Sequence, residues 1–275
     1  MRGIILAAGK GSRLNGTAGE NPKCLVKAGG LTLIERQIRV LRSAGIDEIA
    51  VVVGCQADQV RRVCGHGITY VENSQYAQTN SMYSLWLARP LLFEGFVVLN
   101  CDVLFHPVLL EDLLTSRHED ALLLAYRDAH QPPFGDEEMK VKVRCGRVVD
   151  ISKQMPPDEA DGENLGIVKF GPEGAARLVQ IMDELVAAGG LRDWAPRAFR
   201  EFAQVRPLHA IGTRGFPWIE IDFPDDYQRA VRDVLPAIEG DRRARPHDHE
   251  PLTPVLAAVP HELGGGSALA AGDLR

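Results

Sequence analysis

Arg2-Gly3-Ile4-Ile5-Leu6-Ala7-Ala8-Gly9-Lys10-Gly11-Ser12-Arg13-Leu14 is the stretch on which the fold turns. Residues Arg2 to Ala8 form an apolar run closed by small residues, the pattern of a parallel strand covered on both faces. The small residues at positions 7, 8, 9 and 11 let backbone amides approach a ligand closely. Successive N–H groups in such a turn cradle an anion, and Lys10 and Arg13 add full positive charges. The spacing is not G-x-G-x-x-G, because position 14 is Leu, and it is not G-x-x-x-x-G-K-S/T. An ordinary glycine-rich strand-to-helix turn is the plain alternative.

Outward from that loop, strands and helices alternate. Helix is predicted over 33–44, 56–64, 80–89 and 107–116, and strand over 48–54, 68–71, 95–100 and 121–126. This rhythm predicts a doubly wound, mostly parallel α/β sheet. Two runs, 139–144 and 147–152, flank Cys145-Gly146 and read as a β-hairpin inserted into that order. Strands at 165–170, 205–211 and 218–221 and helices at 174–188 and 225–234 follow. Residues 1–235 read as one domain, and 236–275, rich in Pro, Ala, Gly and charge without periodicity, as a loosely ordered tail.

Of the 275 residues 45% are hydrophobic, and the net charge is −6. An acidic chain lacks the basic face of a general nucleic-acid binder, and no apolar run nears the ~20 residues of a membrane span. The N-terminus is too short in apolar sequence for a secretory signal. Five scattered cysteines, odd in number and without C-x-x-C, predict reduced thiols and a cytoplasmic setting.

Ile4 to Gly9, Gly11-Ser12-Arg13-Leu14, and then Asn21-Pro22-Lys23-Cys24-Leu25 together resemble the signature of the sugar-phosphate and phosphocholine nucleotidyltransferases. The resemblance implies their Rossmann-like nucleotide-diphospho-sugar transferase fold. It implies a nucleoside triphosphate held by the loop (Leu6, Ala7, Ala8, Gly9, Lys10, Gly11, Ser12, Arg13), with Lys23 neutralising charge at the α-phosphate. Thr79-Asn80-Ser81-Met82-Tyr83-Ser84-Leu85 looks like the CTP-using members that activate phosphocholine, phosphonates or inositol phosphate, so Thr79, Asn80 and Ser84 are candidates for reading the base.

Asp102 follows a strand, and an acid at the carboxyl end of a parallel strand points into the ligand crevice; a turn-capping role is the alternative. Asp222, in Glu220-Ile221-Asp222, can lie across the same crevice. Two carboxylates with phosphate oxygens suit Mg²⁺, and the resemblance implies that Asp102 and Asp222 hold it.

For the acceptor, the resemblance implies Lys153 and Glu163, with Lys140 competing for the lysine role. Asp136, in Phe134-Gly135-Asp136-Glu137-Glu138, could hold an ammonium, bind hydroxyls or mark a charged turn, and Trp218 could join an aromatic cage or the core. The expected chemistry is magnesium-dependent attack of a small phosphate or phosphonate on CTP, or another nucleoside triphosphate, releasing pyrophosphate. A phosphate monoester with a second pKa of ~6 is already a competent dianion, so Arg13, Lys23, Asp102 and Asp222 carry the catalysis without a general base. A sugar-1-phosphate uridylyl- or thymidylyltransferase is the alternative, and a non-catalytic nucleotide-binding regulator the different class. A homodimer is compatible with all three.

Overall fold

The computed structural model describes residues 1–11, 14, 21–128, 134–241 and 243. The chain opens with β1 (Arg2–Ala7), a two-residue ribbon of β2 (Lys27–Ala28) and β3 (Leu31–Thr32), and α1 (Leu33–Ser43). Next come β4 (Ile49–Val53), α2 (Ala57–Cys64), β5 (Ile68–Glu72), α3 (Ser81–Leu87), β6 (Phe96–Asn100), β7 (Val103–Phe105), α4 (Pro107–Thr115) and β8 (Ala121–Tyr126). The remainder is β9 (Lys140–Arg144), β10 (Arg147–Ser152), β11 (Gly162–Phe170), α5 (Pro172–Ala187), α6 (Ala195–Val205), β12 (His209–Gly212), β13 (Trp218–Glu220), α7 (Pro224–Arg229) and α8 (Leu235–Gly240).

Nine strands form one sheet in the order β5-β4-β1-β6-β11-β8-β12-β10-β9. β5, β4, β1 and β6 run parallel, as the apolar runs require. Beyond β6 the sheet is mixed: β11 is antiparallel to β6 and β8, and the β9–β10 hairpin is antiparallel to its neighbours. Strand alternation divides the core. Ile4 and Leu6 face α3, α5 and α6, while Ile5 and Ala7 face α1, α2 and α4.

Three segments depart from the sequence reading. α6 is a helix where none is predicted; its buried face is Ala195, Ala198, Phe199 and Phe202, an amphipathic stripe masked by its small alanines and by Pro196 at the first turn. The strand predicted over 205–211 is shortened to His209–Gly212, because Val205 ends α6 and Pro207 has no N–H for a ladder. The third departure is at β13, predicted as another sheet strand. It pairs with β7 in a separate two-stranded ribbon.

The helical run after Pro224 continues through a π-turn at Ala230–Val234 into α8, with Leu235 and Ile238 buried. Helix therefore extends past 235, where the tail was expected to begin. Among the described residues no helix is long and apolar enough to cross a membrane.

Candidate functional site

Leu6 on β1 lies opposite Asn100 on β6, so the loop after β1 and the Asn100-Cys101-Asp102 turn leave the sheet side by side. The β7–β13 ribbon then does what no local motif can. It sets Glu220 opposite Val103 and has Ile221 N–H donate to the Asp102 carbonyl at 3.0 Å. Residues more than a hundred positions apart are thereby stacked over one another. Glu220 and Asp222, two positions apart in an extended segment, face the same way. Asp226 Oδ2 accepts from the N–H groups of Asp222 at 3.1 Å and Phe223 at 2.8 Å, which fixes the end of the segment.

Lys23 projects from a short 3-10 turn, Lys23–Leu25. Its ammonium donates to Asp102 Oδ2 at 2.7 Å and also to Asp222 Oδ1. The three side chains are 11%, 17% and 23% exposed, so their charges are poorly screened by water. Burial alone would lower the Lys23 pKa, but the two carboxylates outweigh it and hold the ammonium above its ordinary value. Gly11 has φ +67°, and a Cβ there would stand 2.7 Å from Lys23 Cβ, so only glycine lets the loop close against this lysine.

Asp102, Glu220 and Asp222 can present oxygens that all lie within 4.8 Å of one another. Asp102 Oδ1 is buried without a hydrogen bond. Burial, and then the nearness of Asp102 and Asp222, holds the Glu220 carboxyl well above the usual carboxylate range. A hard divalent cation would relieve both features, and the oxygen donor set fits one. Glu220 was not singled out in the sequence; its period-two spacing from Asp222 was the available signal.

Around this centre two cavities meet. The first, of ≈ 270 Å³, is lined by Leu6, Ala8, Gly9, Gly11 and Lys23 on one side, and by Thr79, Asn80 and Ser84 on another. Ala7 is buried on the opposite face of the sheet. Lys10 does not line the cavity; its ammonium lies 5.9 Å from the Tyr76 ring centroid. Ser12 and Arg13 lie outside the described residues. Asn73, unnoticed in the sequence and 1% exposed, donates its amide to both Thr79 Oγ1 and Ser84 Oγ at 3.0 Å, organising that polar wall. Asn80 caps α3, its side-chain oxygen accepting from Ser81 N–H at 2.8 Å.

The second cavity, of ≈ 1110 Å³, shares Glu137, Glu220 and Asp222 with the first. Its walls carry the acids Asp128, Glu138, Glu163 and Asp226 and the rings of Tyr126, Phe134, Phe216, Trp218 and Phe223. The two cations on its lining, Arg214 and Arg229, are paired with Asp112 and Asp226. Burial, then repulsion from Glu138, pushes Glu163 up to about 7, although Lys140 pulls the other way.

Of the predicted acceptor residues, Glu163 and Trp218 line this cavity. Lys153 lies at the rim of the first, 3.1 Å from Glu137 and 5.2 Å from the Trp194 ring centroid. Lys140 is buried and donates to the Gly135 carbonyl at 2.6 Å, so its charge serves the chain itself. Asp136 is exposed and lines neither cavity.

Comparison with known proteins places the chain in a family. A family model described as the MobA-like NTP transferase domain matches residues 3–250. The bifunctional IPC transferase and DIPP synthase of Rubrobacter xylanophilus is 32% identical over 236 residues, covering 84% of this chain and 51% of that protein. The chain thus spans about half the length of that relative. The choline-phosphate cytidylyltransferase of Streptococcus pneumoniae is 27% identical over 245 residues, covering 86% of this chain and 98% of the other. A solved structure of CTP:phosphocholine cytidylyltransferase from the same organism superposes with a TM-score of 0.67 at 24% identity, covering 84% of this chain and 97% of that one, which supports the shared fold.

Proposed function

Because the chain belongs to the MobA-like NTP transferase family, we propose that it is a magnesium-dependent cytidylyltransferase whose acceptor is a small phosphate or phosphonate bearing an ammonium group. The nucleotide occupies the cavity under the loop after β1, and the acceptor occupies the acidic, aromatic one. The acceptor's phosphoryl oxygen attacks the α-phosphorus in line, and pyrophosphate leaves.

The observation that carries this reading is that the two cavities meet at Glu220 and Asp222, with Lys23 paired to both Asp222 and Asp102 on the side of the first. Two anions must meet there, and Lys23 brings a permanent positive charge to the point of contact. Asp102 and Asp222, with Glu220, form the divalent-cation seat. Mg²⁺ held by these carboxylates would supply charge stabilisation to the phosphates as pyrophosphate leaves. Gly9 and Gly11 line the first cavity, where backbone amides of the loop can face phosphate. Arg13 follows in the loop as a further phosphate contact. Thr79, Asn80 and Ser84 supply polar groups for the base, and the likeness of this segment to CTP-using enzymes favours cytidine.

The acceptor side is argued from charge. Five aromatic rings and a surplus of carboxylates disfavour a second anion deep in the cavity and favour a cation. An ammonium at one end of the acceptor and a phosphoryl group at the other match the acidic pocket and the Lys23 end. Glu163 and Trp218 hold the cation, while Lys153 stands near the phosphoryl group. The free cysteines suit a cytoplasmic enzyme.

The experiment is a pyrophosphate-release assay crossing CTP, UTP, ATP, GTP and dTTP with phosphocholine, 2-aminoethylphosphonate, inositol 1-phosphate and hexose 1-phosphates, with and without Mg²⁺. Turnover confined to CTP and an ammonium-bearing acceptor is expected. Turnover with UTP or dTTP and a hexose 1-phosphate would replace this reading with the sugar nucleotidyltransferase. CTP binding without any turnover would favour a regulator.

A further inference from the structure

The polar wall of the first cavity has a fixed hydrogen-bond direction, and one buried residue sets it. Asn73 directly follows β5; its N–H donates to the Val53 carbonyl at 2.8 Å, and the residue is 1% exposed. The Asn73 side-chain oxygen accepts from Gln75 N–H at 3.0 Å. A backbone N–H can only donate, so this bond settles which end of the amide is oxygen and which is the NH2 group. The two NH2 hydrogens go to Thr79 Oγ1 and Ser84 Oγ, each at 3.0 Å. Thr79 has one hydroxyl hydrogen, and the Gln75 carbonyl takes it at 2.9 Å. Thr79 Oγ1 therefore meets a ligand only as an acceptor. Ser84 Oγ also accepts from Asn73, but among the described residues its own hydrogen has no partner, so it is the donor of the pair. All three residues line the cavity.

We propose that Asn73 is a positioning residue that makes the site choose cytosine over uracil, by fixing Thr79 as an acceptor and Ser84 as a donor. This selection rests on the cytidine reading given above. The only hydrogen-bond donor on the edge of a cytosine base is its N4 amino group. Thr79, able only to accept, can serve no other atom of that base, and Ser84 beside it donates to the ring N3. Uracil in the same place sets O4, an acceptor, against Thr79, and neither oxygen has a hydrogen to give. A polar atom left without its partner in a closed site costs about 10-fold or more in affinity. Thymine behaves as uracil does. Adenine shows an amino group beside a ring acceptor, as cytosine does, so this polarity sorts amino bases from keto bases and leaves purines to be sorted by size.

The test is the affinity of the full chain for CTP and for UTP, each with Mg²⁺ and without acceptor, by titration calorimetry on wild type, Asn73→Asp and Thr79→Val. Wild type binds CTP about 10-fold or more tighter than UTP. The carboxylate of Asn73→Asp accepts instead of donating, so it draws the Ser84 hydrogen toward itself and N3 of cytosine loses its donor. The CTP-to-UTP affinity ratio then falls about 10-fold, while the added charge acts on both nucleotides alike and cancels in the ratio. Thr79→Val keeps the side-chain shape, removes the acceptor and lowers the same ratio by a similar factor. Equal wild-type affinity for the two nucleotides would overturn the proposal. So would an Asn73→Asp protein that binds both more weakly at an unchanged ratio, which is what a merely structural role gives. If Asn73→Asp does not fold, Thr79→Val decides, and an unchanged ratio there sinks the idea. A chain that selects CTP through Asn73 but transfers it to no acceptor removes the transferase and leaves this role standing. One that turns over CTP while Asn73→Asp keeps the ratio removes this role alone.

Discussion

The two walls of the site are built in opposite ways. On the nucleotide side, β1, β4, β5 and β6 are parallel and buried, and the loop that serves them is nine consecutive residues from Leu6 to Leu14. On the acceptor side, Tyr126, Glu138, Glu163, Phe216, Trp218 and Asp226 come from five separate segments after β6, where the sheet becomes mixed. The first wall relies on backbone amides and so tolerates little change. The second relies on side chains and so is open to variation. Asp222 lines both cavities and is paired with Lys23, which also holds Asp102, so these three form the hinge between the walls, and substitutions on either side should separate in the kinetics.

The largest effect is expected at that hinge. Asp102→Asn removes a charge from the proposed cation seat while keeping the shape, and kcat should fall by about 10²–10³ for every acceptor, the range seen when one preorganised electrostatic group is lost. A magnesium titration checks it, because the half-saturating Mg²⁺ concentration should rise too. An unchanged magnesium response would remove Asp102 from the metal site. Next in size is Trp218→Ala on the acceptor wall. Loss of a ring beside a desolvated cation costs about 2 kcal/mol, or about 30-fold in acceptor KM, with the CTP KM unmoved. A matched rise in both constants would mean that the walls are not separable.

How far each wall was legible follows from the same contrast. The loop and Pro22-Lys23 could be read because their signal is contiguous, and Asp102 because it ends an apolar strand. Glu220 was passed over, although it stands two residues from Asp222 on the ribbon that brings both to Asp102. That ribbon depends on β7, a three-residue strand too short to announce itself. Asn73 and Gln37 were invisible for another reason: each is a lone buried amide whose role is set by partners in other elements. Lys140 shows the limit of facing rules, since period two places it on the right face but a carbonyl of its own chain takes its ammonium.

The smallest effect is one of pH. Glu163 is raised to about 7 by burial first and Glu138 second. Its carboxyl is neutral below that value and anionic above it, so acceptor KM should fall severalfold as pH rises through about 7. The difference between wild type and Glu163→Gln isolates this group from the titration of the acceptor itself. The sign for stability is opposite. A carboxyl whose folded pKa is raised contributes stability that is full at pH below its unfolded value and is lost as pH rises through about 7. Thermal melts of the two proteins should coincide at low pH and diverge as pH rises through about 7, with wild type becoming the less stable, and parallel curves would show that Glu163 titrates normally.

The central claim is that the acceptor wall selects positive charge while the nucleotide wall holds CTP. The direct measurement is kcat/KM, with CTP and Mg²⁺ saturating, for phosphocholine against its isostere in which the quaternary nitrogen is replaced by uncharged carbon, with inositol 1-phosphate as a polar neutral control. The two charged and uncharged choline analogues share size and shape, so about 2 kcal/mol of cation recognition should appear as a preference of about 30-fold for the ammonium. Equal use of both analogues, or faster turnover of inositol 1-phosphate, would contradict the claim.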